Sequence, residues 1–70
     1  MSLAKVQEEI MTLMALIAQK RRDEAEIKIE QVFEIIHEGL DFSTNDEELV
    51  YWGKYLKIVE GLQHKLQEDE

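Results

Sequence analysis

The chain contains no proline, and the first of its three glycines stands at position 39. Nothing in the first half can therefore force a break in a helix, since proline and glycine are the two residues that cost a helix interior most. Apolar residues recur at spacings of three and four with no sustained two-residue alternation, which is the period of a helix with one face turned to a core. An all-α fold follows.

The first stripe is Val6, Ile10, Leu13 and Ile17, widened by Met11 and Met14, with Ser2 as a candidate N-cap. A second runs through Ile29, Val32, Phe33, Ile36 and Leu40. Ile17 and Ile29 are twelve positions apart, so on one straight helix the two stripes would face directions differing by about 120°. Two courses fit. In one, the chain turns at residues 20–23, with Lys20, Arg21 and Arg22 at a helix C-terminus and Asp23 and Glu26 capping the next helix. In the other, one long helix continues to about residue 39, favoured by the strong helix formers of residues 19–26 and using Ala4, Met11, Ala18 and Ala25 as an extra edge. We take the turn, with the continuous helix as its alternative.

Gly39 is suited to closing the second helix, and Asp41, Phe42, Ser43, Thr44 and Asn45 make a run of turn and cap residues. Thr44 with Glu47 spells a capping box, and Asp46, Glu47 and Glu48 suit the positive end of a helix starting at about Asn45. The last helix carries Leu49, Trp52, Leu56, Val59 and Leu66 on its main stripe. Tyr51, Tyr55, Ile58 and Leu62 lie beside it, an apolar arc wide enough to touch more than one neighbour. Trp52 and Phe42 are assigned to the core. Close helix approach is one account of Gly53 and Gly61, simple tolerance the other. The expected architecture is a small antiparallel up-down bundle over one domain, residues 1–70, with helices near 3–20, 23–39 and 45–68, or a hairpin with a long first helix.

A domain of 70 residues holds only a modest core, and such chains rely on disulfides, a metal or self-association for extra stability. There are no cysteines, which removes disulfides, thiolate metal sites and thiol catalysis together. Hydrophobic residues at 44% suffice for a core and argue against disorder. Self-association is the remedy left, and a homodimer is expected.

Eight Lys and Arg against sixteen Asp and Glu give a net charge of −8, which repels nucleic-acid phosphates and anionic membranes. The longest apolar run, residues 10–18, is far short of the roughly 20 residues that cross a bilayer. It begins behind Glu8 and Glu9, unlike a secretory leader. A cytoplasmic location is expected, with no nucleic-acid or membrane partner. Met1, Ser2 and Leu3 carry no functional meaning in this reading.

The chemistry-bearing candidates are few. Asp41, Ser43 and Asn45 copy the opening of a calcium loop, but the sixth position is Asp46 where that loop needs glycine and the twelfth is Trp52 where it needs glutamate. Capping accounts for the same residues. Glu34 and His37 form an E-x-x-H pair of the kind that di-iron helical bundles use, because that spacing projects both side chains to one side of a helix. Those sites need two such pairs and two further glutamates, so this chain would supply a metal only across a symmetric dimer. A boundary cluster with Glu30 and Asp41 is the plainer account. Adjacent Glu8 and Glu9, or Glu47 and Glu48, point about 100° apart and build no site alone. Neither His37 nor His64 has a nucleophile beside it, and no glycine-rich phosphate loop occurs. No cofactor or catalytic residue is expected.

The function expected is a non-catalytic interaction module, an adaptor, regulator or chaperone-like protein, and the alternative is the Glu34–His37 metal bundle. The expected interface is Val6, Ile10, Leu13 and Ile17 on the first helix with Tyr51 and Tyr55 on the last. Tyrosines off the main stripe suit contact surfaces that stay partly wet.

Overall fold

A computed structural model of the chain describes residues 3–68, in which three helices, α1 (Leu3–Ala18), α2 (Arg22–Phe42) and α3 (Asp46–Glu68), form an up-down bundle. The candidate cap Ser2 lies outside the described residues. The chain does turn after α1, and Lys20 is where it does so: its φ is 60°. Its amide donates to the Ile17 carbonyl and the Arg21 amide to the Leu16 carbonyl, both at 3.0 Å. This pair of bonds is the glycine-type helix stop, built here on a lysine.

The start of α2 differs from the expected Asp23–Glu26 cap. Arg21 occupies the N-cap position without a side-chain cap bond, and Asp23 and Glu24 fall inside the first turn, where their charge favours the helix N-terminus. Arg21 reaches Glu24 at 2.7 Å and Arg22 reaches Glu26 at 3.6 Å, so Glu26 serves an ion pair along the helix.

Gly39 does not end α2. The helix continues to Phe42, and the Ser43 amide closes it by donating to the Gly39 carbonyl at 3.0 Å. Gly39 is buried because the Trp52 ring of α3 lies on its backbone, where a Cβ would overlap the ring. The extra turn carries Phe42 past the end of the core, leaving it 80% exposed, so its assignment to the core is corrected. Asn45, not Thr44, caps α3: its Oδ1 accepts the Glu47 amide at 2.8 Å. An amide side chain one residue nearer the helix displaces the Thr44–Glu47 box.

The core is drawn from all three helices: Val6, Ile10 and Leu13 from α1, Ala25, Ile29, Val32 and Ile36 from α2, and Trp52, Tyr55, Val59 and Leu66 from α3. Leu49, in the first turn of α3 at the end of the bundle, is only partly covered. Gly53 and Gly61 face open space, so close helix approach explains only Gly39. Lys28 of α2 pairs with Glu9 of α1 at 2.7 Å, and Gln7 of α1 donates to the Tyr55 hydroxyl of α3. α2 runs antiparallel to both neighbours and packs along each, whereas α1 and α3, parallel to each other, meet over less of their length. Near the end of α1 an open hollow is left between them, lined by Met14, Ile17 and Ala18 on one side and Leu62 and Lys65 on the other.

Candidate functional site

Most of the interface expected from the sequence is occupied by the chain itself. Val6, Ile10 and Leu13 are in the core and Ile17 is half-buried against it, because α2 and α3 together cover the stripe reserved for a second copy. Tyr55 is buried with its hydroxyl taken by Gln7. Tyr51, one turn earlier, is 49% exposed. Glu34 and His37 both lie on the exposed side of α2, and His37 stacks on Phe33 with ring centroids 6.3 Å apart. Among the described residues no three His, Asp or Glu side chains converge as a metal site would require.

The calcium-like segment is engaged locally. Asp41 belongs to α2, the Ser43 hydroxyl lies within donating reach of Glu48 at 3.1 Å, and Asn45 caps α3. Of the adjacent acids, Glu9 has a defined partner set. The Lys28 ammonium holds its carboxyl below the ordinary range, with Lys5 at 3.3 Å adding to this against the opposing effect of burial.

The exposed apolar surface lies on another side of the bundle. Residues 10–19 contain no charged side chain, so the part of α1 that faces away from the core shows Met11, Thr12, Met14, Ala15 and Ala18. Met11 is 70% exposed and Met14 45%. Alongside it, α3 presents Tyr51 with the half-buried Ile58 and Leu62, and Val50 is 70% exposed. Two open hollows mark this surface. One, of about 440 Å³, is lined by Met14, Ile17, Ala18 and Leu62 with Lys20 and Lys65 at its edge. The other, of about 540 Å³, lies on α3 alone, lined by Leu49, Val50, Gly53 and Ile58 with Lys54 and Lys57. Ile58 of this hollow and Leu62 of the first are one turn apart on α3.

The cations divide into two groups. Lys5, Arg21, Arg22 and Lys28 each pair with a glutamate on α1 or α2. Lys20, Lys54, Lys57 and Lys65 have no ion pair among the described residues, and all four rim the apolar face. The sequence explains the absence at Lys54, whose neighbours three and four positions away, Val50, Tyr51, Lys57 and Ile58, include no acid. No carboxylate lines either hollow. The charge-free run of α1 and, on α3, Lys54 without an acid at helical spacing were the sequence signals for this face. Compared with protein-family models, curated proteins and solved structures, the chain finds no match.

Proposed function

We propose that the chain is a small, non-catalytic protein–protein interaction module, of the adaptor, regulator or chaperone-like kind, whose contact surface is the α1–α3 face. One observation carries this reading: Met11, Met14, Val50 and Tyr51 are exposed, with Met14 and Val50 each lining an open hollow, on a chain of which 34% is charged. Grouped apolar side chains left in water usually mark a partner site, because covering them gains free energy in proportion to the area removed from solvent. Methionine suits such a surface, being flexible enough to fit a partner's contours. The net charge of −8 speaks against nucleic acid as that partner.

The reading is tested by a photo-crosslinking side chain placed at Met14 or, on the exposed side of α2, at Glu34. Specific adducts with one protein are expected from position 14 and not from position 34. Equal labelling from both positions removes the reading.

Self-association is a second form of the same function, and the outer strip of α1 favours it. Ala4, Met11, Ala15 and Ala18 are small or flexible and uncharged, which lets a second α1 approach closely across a two-fold axis. Burial of Leu13 moves the centre of such a dimer from Leu13 and Ile17 to Met11. Light scattering is then expected to give twice the 8.3 kDa chain mass at micromolar concentration; a single-chain mass throughout leaves only a different protein as partner.

A further inference from the structure

We propose that the hollow where α1 ends beside α3 receives the C-terminal residue of a partner protein, with its apolar side chain on the floor and its free carboxylate against Lys20 and Lys65. This rests on the interaction-module reading and names the part of the partner that is held. The hollow is built from two helices and a turn. Met14, Ile17 and Ala18 come from the last turn of α1, Leu62 and Lys65 from one turn of α3, and Lys20 from the turn that follows α1. At about 440 Å³ it lies toward the lower end of the range of small-ligand sites, about 300–1,000 Å³. A floor one helical turn long is too short to seat a helix, but it suits the tip of a chain.

The charges then select what that tip carries. No carboxylate lines the hollow, and neither Lys20 nor Lys65 has an ion pair among the described residues. Glu68, three positions beyond Lys65, pairs with His64 at 2.9 Å. A smaller hollow of about 160 Å³ shares Ile17 and Lys20 with the first and adds Arg22 and Leu66, again without a carboxylate in its lining. An anion attached closely to an apolar group matches this arrangement. Within a polypeptide, an aspartate or glutamate carries its charge on a different side chain from the apolar one. Only at the C-terminus are a carboxylate, ionised at neutral pH, and an apolar side chain bonded to the same Cα. Covering the floor gains free energy with the area removed from water, and the ammonium groups donate charge-assisted hydrogen bonds to the carboxylate. A polyanion would leave the floor wet, and an internal apolar side chain would leave both lysines unpaired.

The test titrates the nitrogen-labelled full chain with three acetylated hexapeptides and follows its amide shifts by NMR. One peptide ends in two leucines with a free carboxylate, the second is its carboxamide, and the third ends in two serines with a free carboxylate. The leucine acid is expected to bind roughly fivefold tighter than its amide, to lose that margin as salt rises, and to shift Met14, Ala18, Leu62 and Lys65 most. The serine acid is expected to bind more weakly than either. In the double variant Lys20→Asn, Lys65→Gln, asparagine tolerates the left-handed turn; acid and amide are expected to bind equally there, with the affinity for the amide unchanged. Equal affinities in the unaltered chain, a margin that survives in the double variant, shifts centred elsewhere, or no binding at millimolar peptide overturns the assignment. Octanoate binding as tightly as the leucine acid also overturns it, and makes the site one for a free aliphatic acid. If no peptide binds while crosslinking from position 14 still captures one protein, the occupant named here falls and the interaction module stands.

Discussion

A single methyl group at position 39 would need space that the Trp52 ring already fills. Replacing a helix-interior glycine by alanine ordinarily gains up to ~1 kcal/mol. Overpacking a buried ring costs about 1–3 kcal/mol, and Trp52 is too buried to move aside freely. Gly39→Ala is therefore expected to lower the thermal midpoint, while Gly61→Ala, facing open space, raises it; melts in which both variants rise would show that the Trp52 contact is slack. Lys20 presents the opposite case, a side chain where glycine belongs. Its left-handed backbone costs a non-glycine residue roughly 1–2 kcal/mol, part of which a glycine would give back as unfolded-state entropy. Lys20→Gly should stabilise the free chain by about 0.5–1 kcal/mol, read as a higher urea midpoint at unchanged m-value. An unchanged or lower midpoint would mean that the turn carries no such strain.

Between elements, the firmest polar tie is Glu9 of α1 to Lys28 of α2. Glu9 titrates below its ordinary value of 4.5, chiefly because the Lys28 ammonium bonds its charged form. A carboxyl whose folded-state pKa is depressed adds stability above its unfolded pKa and loses it as pH falls through the folded value. Glu9→Gln should therefore cost about 1 kcal/mol at neutral pH, and the gap to the unaltered chain should narrow through and below pH 4.5. A gap that stays constant down to strong acid would show that Glu9 acts by packing. The helices themselves were legible in the sequence because their stripes keep a helical period, and the stripe mismatch between Ile17 and Ile29 located the turn. Their ends were not. Thr44 and Asn45 are both good caps, and only the backbone course decides which one presents its oxygen to the Glu47 amide. Gly39 read as a stop because sequence does not reveal that Trp52 will lie across it.

For the whole molecule, an apolar stripe says that a face is covered but not by whom. Val6, Ile10 and Leu13 looked available to a second copy, yet one chain's own α2 and α3 suffice to bury them. The surface left over is set by how far α1 and α3 fail to close on one another, a tertiary quantity. Its constituents were nonetheless in view: a ten-residue stretch without charge, and on α3 a lysine, Lys54, with no acid one turn away. The same loose seam between α1 and α3 bears on how quickly the chain folds. Short turns join α1 to α2 and α2 to α3, so each antiparallel pair can zip up from its turn, and helical bundles of this kind fold in microseconds to milliseconds. The α1–α3 seam alone joins distant parts of the chain, as in the Gln7–Tyr55 bond, and is the natural last step. Tyr55→Phe, which deletes that bond, should then speed unfolding and leave the folding rate nearly unchanged in temperature-jump relaxation. A slowed folding rate would instead place the union of first and last helices inside the nucleus.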